Sequence, residues 1–256
     1  MDKQPLNVAF ATQKGGSGKS SLTALVASYL HYTKGVPLAV IDCDFPQHSL
    51  YEMRERDSRQ VMNNEFLKKL AYEQMQRPGR AAYPVQKCRV EQAPDVAKEL
   101  VRSGNGYDLL FYDLPGTVNS SGILRTIAQM DYIFAPVSAD QTVLESTLAF
   151  LDVLQRMMLG KGNSRLKGLY LFWNQVDGRE KSNLYERYEK VIGGMELPML
   201  TTRIPDTKRF RKELDEECRT VFRSTLFAPD KRLLTGSGIP ELSNEILSIL
   251  IHPPHE

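Results

Sequence analysis

The stretch of this chain that carries the most chemistry is a run of glycine, lysine and serine residues: Lys14, Gly15, Gly16, Ser17, Gly18, Lys19, Ser20 and Ser21. Small glycines let backbone N–H groups close round an anion, because a β-carbon would block that approach. In such a loop the lysine before the serines, Lys19, reaches the β- and γ-phosphates of a nucleotide, and the Ser20 hydroxyl ligates Mg²⁺. The run therefore predicts a phosphate-binding loop; the alternative is a glycine-rich turn.

The flanks of this run favour the phosphate loop. An apolar stretch at residues 6–11 precedes it, and a helical pattern of apolar residues begins near Lys19. A strand, a glycine loop and a helix in that order are the context in which such loops bind phosphate. The N-terminus of the following helix also directs its positive dipole end at the same anion.

Two further apolar runs end in acidic residues. Asp42 closes the run at 37–42 and Asp44 follows two positions later; residues at i and i+2 of a strand project from one face. Asp113 closes the run at 107–113. Ligands of open α/β sheets lie outside the carboxyl ends of the strands, so we expect these acids to face the phosphates. We expect Asp113 to hold the Ser20–Mg²⁺ arrangement. Capping of a helix near residue 48 is the alternative for the first two acids.

The segment from Gln13 to Ser20 resembles the deviant P-loop of the ParA/MinD family of ATPases. That resemblance implies that Lys14 crosses a dimer interface to the nucleotide of the partner; an ordinary surface lysine is the alternative. The stretch 42–47 also resembles a family segment. This implies that Asp44 orients or activates the attacking water and that Asp42 supports Mg²⁺ through its waters. After Asp113 the family usually has two prolines, but Gly116 replaces the second, and with Thr117 it could hinge a switch loop.

The base of the nucleotide is expected at the ends of two later strands. Asn174 closes the run at 167–174, and an asparagine can pair with N6 and N7 of adenine. By resemblance to the family, Pro205 and Asp206 close over the base. ATP with Mg²⁺ is therefore the expected ligand. Asn174 and Asp177 also resemble part of a guanine-reading motif, so GTP stays an alternative. Trp173 is expected in the core.

Basic residues of the C-terminal third suggest a second ligand: Lys208, Arg209, Arg211, Lys212, Arg219, Arg223, Lys231 and Arg232. A solvated helix face is the alternative. The resemblance to ParA-type ATPases implies non-specific DNA binding here in the ATP-bound state. The last helical pattern, at 239–251, has acids on its polar face and predicts a core helix, not a membrane anchor. His48 is expected at a helix N-terminus.

Composition limits the remaining possibilities. The chain has 256 residues, 41% of them hydrophobic, and a net charge of +2, so any nucleic-acid site must be a local patch. Three cysteines, none close in sequence to another, argue against a disulfide framework and fit a reducing cytoplasm. We find no signal peptide and no apolar stretch of about 18 residues that would span a membrane.

These residues require an α/β fold to position them. We predict strands at 6–11, 37–42, 107–113, 131–136, 167–174 and 198–204, and a further short one near 82–87. Most of these are nearly continuous apolar runs, as strands buried on both faces should be. Periodic segments between them predict helices, at 19–33, 62–75, 92–103, 120–129, 142–158, 183–193, 206–216 and 239–251. We therefore expect one domain over residues 1–256, a mainly parallel sheet flanked by helices. The resemblance makes it a P-loop NTPase of the ParA/MinD type.

Two segments, 28–32 and 42–49, resemble the ParA-like TraA conjugal transfer proteins of Bacteroidetes conjugative transposons. The resemblances together imply a Mg²⁺-dependent ATPase that dimerises on ATP and binds DNA, a ParB-like protein or a conjugation-machinery protein in that state. One alternative is a nucleotide-gated regulatory or assembly protein with negligible turnover; Asp44 is the residue that argues against it. Another is a small-molecule ligase or kinase of the same superfold.

Overall fold

The central feature of the fold is a parallel β-sheet. The computed structural model describes residues 4–77, 81–116, 121–159, 161–179, 183–214 and 220–252. Within them lie the seven strands of one sheet: β1 (Leu6–Phe10), β2 (Leu38–Asp42), β3 (Val85–Lys87), β4 (Leu109–Asp113), β5 (Tyr132–Val137), β6 (Gly168–Val176) and β7 (Met199–Pro205). Their order is β3-β2-β4-β1-β5-β6-β7, and every pairing is parallel. The predicted α/β class is confirmed.

The register of the sheet brings the acidic strand ends together. Asp42 pairs with Asp113 across β2 and β4, and Asp113 pairs with Phe10 across β4 and β1. Because all strands run in the same direction, their carboxyl ends lie at one edge of the sheet. The residues that follow β1, β2, β4, β6 and β7 therefore meet at that edge.

Helices cover both faces of the sheet. They are α1 (Lys19–Ser28), α2 (Ser49–Asn63), α3 (Glu65–Met75), α4 (Ala93–Arg102), α5 (Ser121–Ile127), α6 (Gln141–Met157), α7 (Leu184–Gly193), α8 (Lys231–Leu234) and α9 (Ile239–Ile251). One apolar cluster joins the sheet to α1 and α9, and another joins the opposite face to α4, α5, α6 and α7. Helix α1 is apolar on most sides because it lies between the sheet and α9.

Two segments differ from the sequence predictions. The helix expected to begin near residue 48 is α2, but the predicted helix 62–75 includes only its last residues; the charged residues of α2 leave few apolar positions to mark its length. The predicted helix 206–216 is wrong over 206–214, the part that the structure describes, because only Lys208–Arg211 forms a 3₁₀ turn there. Phe210 packs with Phe222, while Leu214 belongs to a separate cluster with Leu67. The chain after residue 211 is extended, and this allows Phe210 and Leu214 to pack in two different apolar clusters.

The last helix agrees with its prediction. Helix α9 buries Ile239, Leu242, Ile246 and Leu250 against the sheet and α1, as expected for a core helix. No helix in the described part of the chain is long and apolar enough to cross a bilayer.

Candidate nucleotide site

The loop between β1 and α1 has the backbone of an anion-binding turn. Gly16 and Gly18 have φ of +78° and +81°, in the left-handed region that glycine tolerates best. Thr12 Oγ1 and Ser17 Oγ lie 2.8 Å apart, and Thr12 also donates to the Lys14 carbonyl oxygen at 3.1 Å. These contacts fix the loop conformation.

The end of β6 supports the same loop. Asn174 Nδ2 donates to the Ser17 carbonyl oxygen at 2.8 Å, and Gln175 Nε2 donates to that of Gly16 at 3.3 Å. A β-carbon at Gly18 would lie 3.2 Å from Asn174 Nδ2, so a side chain there would crowd this contact. Asn174 was predicted as a base-reading residue from its place at a strand end. In the structure its amide holds the phosphate loop, which the sequence did not indicate.

Lys19 lies buried among the acids of the site. Its Nζ donates to the Lys14 carbonyl oxygen at 3.3 Å, and 8% of the residue is exposed. Burial lowers the pKa of Lys19, while Asp113 and Asp44 oppose that change. The ammonium group therefore has one backbone partner and two nearby carboxylates, and it keeps donors for a phosphate.

Asp113 is a fully buried carboxylate whose oxygens lack partners. Neither oxygen has a hydrogen bond within the described residues. Burial raises the pKa of Asp113 to about 7, and the charge of Asp42 makes a smaller contribution in the same direction. The nearby Ser20 hydroxyl opposes this rise in pKa, although its position does not meet the geometry of a hydrogen bond. A buried unpaired carboxylate is costly unless a cation satisfies it.

The arrangement of Asp113 and Ser20 therefore fits a divalent cation. No group of three or more His, Cys, Asp or Glu residues within the described ranges could enclose a metal. That is consistent with Mg²⁺, which usually keeps several waters and takes one or two carboxylates together with substrate phosphates.

Asp42 has protein partners of its own. Its carboxylate accepts N–H groups from Asp44 at 3.1 Å, Leu50 at 2.9 Å and Tyr51 at 3.0 Å. The last two are at the N-terminus of α2, where His48 occupies the cap position and its Nδ1 lies 3.6 Å from Asp42 Oδ1. Asp42 thus caps α2, as the alternative held, and His48 lies at the helix N-terminus, as expected. A contact of Asp42 with Mg²⁺ through water stays a prediction.

Asp44 extends from the same segment into the cavity. Asp44 is partly buried. Burial raises its pKa most, and the charge of Asp42 raises it further, whereas Lys19 and His48 oppose the rise. The position of Asp44 on the cavity wall distinguishes it from Asp42, which is fully buried. Of the two acids, Asp44 is the one that a water molecule in the cavity can reach.

Gly116 closes the loop from the side of β4. A β-carbon at this position would lie 3.1 Å from Gly15 N and 3.3 Å from Lys19 Nζ. The segment after Asp113 therefore passes directly against the phosphate loop, and glycine permits that approach. Thr117, the other half of the predicted hinge, lies outside the described residues.

All these strand ends surround one cavity of about 700 Å³. That volume is typical of small-molecule sites. Ten of the predicted site residues line it: Gly15, Gly16, Gly18, Lys19, Ser20, Ser21, Asp44, Asn174, Pro205 and Asp206. Ser17, Asp42 and Asp113 are buried next to these residues, and Lys14 is half-buried. Asp177 does not line the cavity and instead binds Arg179 through both oxygens, which argues against the guanine-reading alternative.

Two of the basic residues of the C-terminal third, which the sequence analysis assigned to DNA binding, belong to the nucleotide cavity. Arg211 and Arg223 line the cavity, and Arg223 donates to Ser21 Oγ and to Glu213. Arg209 Nη1 donates to the carbonyl oxygens of Leu233 at 2.9 Å and Thr235 at 2.6 Å. Arg209 and Arg223 thus have intramolecular partners, which the spacing of basic residues alone could not indicate. Arg219 lies outside the described residues.

The comparisons with known proteins agree with this geometry. A sequence model of the family described as the CobQ/CobB/MinD/ParA nucleotide binding domain matches residues 8–220. The chain is 28% identical over 179 residues to the chromosome-partitioning ATPase Soj of Thermus thermophilus, covering 67% of this chain and 70% of Soj.

Solved structures are similar in fold. A plasmid partition protein of Borrelia burgdorferi bound to AMPPNP aligns with a TM-score of 0.61 at 16% identity, covering 97% of this chain and 99% of that one. Cobyrinic acid a,c-diamide synthase of Mycobacterium smegmatis, with an ATP analogue and magnesium, aligns with a TM-score of 0.58 at 17% identity, covering 96% and 95%.

Proposed function

Because the chain belongs to the CobQ/CobB/MinD/ParA nucleotide-binding family, we propose that it is an ATP-binding and ATP-hydrolysing molecular switch of the ParA type. We take residues 1–256 as one P-loop domain and place the nucleotide in the cavity at the carboxyl edge of the sheet. The observation that carries the proposal is the orphaned carboxylate of Asp113 close to Ser20 and Lys19, because an ion of a metal–nucleotide complex would satisfy it.

The loop residues supply the phosphate contacts. N–H groups of Gly15, Gly16 and Gly18 and the N-terminus of α1 surround the phosphates, and Lys19 adds a buried positive charge. Ser17 fixes the turn, while Ser20 and Ser21 begin the helix. Pro205 and Asp206, with Asn174, form the end of the cavity where we place the adenine.

Magnesium would be held by Ser20 and Asp113, with Asp42 in support, and it would neutralise charge on the β- and γ-phosphates. The chain's own contribution to the chemical step is Asp44. Its carboxylate faces the cavity, and its backbone is fixed by the N–H contact with Asp42. We assign to Asp44 the orientation of the attacking water, a role that needs position more than basicity.

We extend the proposal to an ATP-dependent homodimer through Lys14. The Lys14 carbonyl oxygen accepts bonds from Thr12 and Lys19, so its backbone is fixed. Its ammonium group has no ion pair or hydrogen bond within the described residues, and a cation at the rim of the loop fits a deviant Walker A lysine that reaches the nucleotide of a partner. Such a lysine stabilises only the dimer.

The biological output that we propose is movement or transfer of a mobile DNA element, in partition or in conjugal transfer. The name of the Thermus relative supports partition, and the TraA-like segments support transfer. Exposed cations near the cavity would contact DNA without sequence preference: Lys208, Arg211, Lys212, Lys231 and Arg232. A ParB-like or conjugation-machinery protein would be the regulatory partner, and the setting would be the cytoplasm.

Phosphate release from Mg-ATP, measured with and without duplex DNA, tests the proposed function. Lys19→Ala should abolish ATP binding, because it removes the buried cation of the loop. Asp44→Asn should bind ATP with little change but lose turnover by about 100-fold, since its contact is to water. If Asp44→Asn hydrolyses ATP at the wild-type rate, the assigned role is wrong. If the wild type binds ATP without turnover, the regulatory alternative is favoured.

A further inference from the structure

Two cysteine thiols face each other at the edge of the nucleotide site. Cys43 directly follows β2 and Cys88 directly follows β3, the neighbouring strand. Their sulfur atoms lie 4.0 Å apart, and both cysteines are free thiols. The two residues are 45 positions apart, so their spacing in the sequence does not indicate this pair.

The backbone of this pair belongs to the proposed catalytic edge. Cys43 lies between Asp42 and Asp44, and its N–H donates to the Asp113 carbonyl oxygen at 2.9 Å. Cys88 N–H donates to the Asp42 carbonyl oxygen at 3.0 Å. A change of geometry at the two sulfur atoms would therefore act on the segment that carries Asp44.

The chain segments that follow the two cysteines are also in contact. The guanidinium carbon of Arg89 lies 4.4 Å from the centroid of the Phe45 ring, so the residue after Cys88 stacks on the residue after Asp44. Cys43 has no exposed surface, whereas Cys88 is 8% exposed. A small oxidant from solvent would reach Cys88 first.

We propose that Cys43 and Cys88 form a dithiol modification site whose oxidant is a peroxide and whose product is an intramolecular disulfide. In the first step the Cys88 sulfur attacks hydrogen peroxide, the O–O bond breaks, and Cys88 becomes a sulfenic acid as one water leaves. In the second step the Cys43 sulfur attacks the sulfur of that sulfenic acid, the S–O bond breaks, and a second water leaves. Two thiols lose two hydrogens, and the peroxide is reduced to two waters.

The disulfide would alter the geometry of the hydrolytic segment. The sulfur atoms must approach from 4.0 Å to about 2.05 Å, the length of an S–S bond. Cys43 is fully buried beside Asp42 and Asp44, so its side chain has little free space to turn and we expect part of that movement to pass into their backbone. A displacement of about 1 Å in a positioned group can cost about 100-fold in rate. This second part of the proposal rests on the proposed ATPase function; disulfide formation does not.

The test uses the full chain with Cys218→Ser, which removes the third cysteine and leaves the pair alone. Treatment with hydrogen peroxide should remove both thiols in a titration of the denatured protein. The mass of the unreduced protein should fall by two hydrogens without covalent dimer, and dithiothreitol should restore both thiols. The matched control, Cys88→Ser in the same background, keeps only the fully buried Cys43, so it should retain that single thiol and form no disulfide. Two thiols that survive peroxide, or two sulfinic acids in place of a disulfide, would overturn the site.

ATP turnover of the same samples tests the second part. Oxidation should lower turnover by tenfold or more, reversibly, while circular dichroism shows a folded protein, and the Cys88→Ser control should keep its turnover through the same treatment. A disulfide that leaves turnover unchanged overturns the effect on hydrolysis. A reduced protein without any turnover contradicts the proposed function instead, and the thiol titration still decides whether the dithiol site exists.

Discussion

The side-chain amide of Asn174 donates to the carbonyl oxygen of Ser17 across 2.8 Å, and so joins the end of β6 to the phosphate loop. The preceding residue, Trp173, is the single tryptophan of the chain; it is 1% exposed, and its indole N–H donates to Glu189 at 2.7 Å. We therefore expect a change at the loop on nucleotide binding to alter the surroundings of one fluorophore. Tryptophan fluorescence should then report occupancy of the site.

Replacement of Asn174 by alanine should weaken both the fold and nucleotide binding. The change leaves the buried Ser17 carbonyl oxygen without its donor, which costs about 1–3 kcal/mol. We expect the free energy of unfolding in urea to fall by that amount and ATP affinity, measured through Trp173, to fall by roughly tenfold. The matched control is Gln175→Ala, whose longer contact to Gly16 is exposed and should matter little. Wild-type affinity in Asn174→Ala would contradict a loop-supporting role.

Gly116→Ala should damage the site without a change of charge. The added β-carbon would meet Gly15 N and Lys19 Nζ at 3.1 and 3.3 Å, and the loop backbone has little room to move. Overpacking of this kind costs about 1–3 kcal/mol, so we expect ATP affinity to fall about tenfold or more. Gly162→Ala is the control, because no atom lies within 4 Å of its β-carbon. Equal affinities in the two variants would show that the close approach is unimportant.

Sequence reasoning located the strands and their polar ends because both signals are local. Strands buried on two faces are continuous apolar runs, and a carboxylate at such a run's end must lie at the ligand edge of a parallel sheet. This reasoning placed Asp44 and Asp113 where the structure has them. It did not predict the length of α2, whose many charged residues leave a narrow apolar side. It also predicted a helix over 206–216, where contacts with two separate clusters require an extended chain.

The missed functional contacts join segments that are far apart in sequence. Asn174 and Ser17 are 157 positions apart, and Arg223 and Ser21 are 202 apart. A residue type at a strand end indicates that a side chain is near the site, but which partner it takes depends on packing at ångström scale. The basic segment illustrates this, because Arg209 and Lys208 are adjacent, yet the first binds two carbonyl oxygens and the second is exposed.

The raised pKa of Asp113 predicts a pH dependence of stability in the protein free of nucleotide and Mg²⁺. The carboxyl binds its proton more tightly in the folded state, with a pKa of about 7 against the ordinary value of 3.8 for an aspartate. The free energy of unfolding should therefore fall as pH rises through that window and then level off, by about 1–4 kcal/mol from this group. Asp113→Asn removes this contribution and should be more stable than the wild type at pH 8.

The measurement is urea unfolding of both proteins from pH 5 to pH 8. Asp44 and Asp57, whose pKa values are also raised, are present in both proteins, so the difference between the two curves reports Asp113 together with its coupling to Asp42 and Asp44. If the unfolding free energies of the two proteins change with pH in parallel, the Asp113 carboxylate is already balanced by cations in the protein without nucleotide. Magnesium with ATP should stabilise the wild type and not the variant.

Lys14→Ala should separate nucleotide binding from dimerisation. The ammonium group makes no contact with its own loop in the described residues, so ATP affinity of the monomer should change less than threefold, whereas sedimentation with ATP should show monomer alone. The matched control is Lys34→Ala, which removes an exposed lysine that lies over Tyr29, outside the cavity lining. An ATP-dependent dimer of Lys14→Ala would contradict the assignment of a lysine that acts across the interface.

Charge reversal of the exposed lysines beside the cavity should remove DNA binding and leave the dimer intact. Lys208 and Lys212 are exposed, so they are free for phosphate contacts, whereas Arg209 should be left unchanged because its reversal would break two bonds to carbonyl oxygens. Each lost phosphate contact should reduce the magnitude of the slope of log K against log salt by about 0.9. The two reversals remove two such contacts from each protomer of the dimer.

The control reverses Lys69 and Lys98, whose side chains are 77% and 64% exposed on α3 and α4, and it makes the same change of net charge. Filter binding of random duplex DNA over a salt series, with ATP, measures the affinity and the salt slope of both double variants. If the two double variants lose affinity equally, the effect is one of net charge, and the surface beside the cavity is not the DNA site.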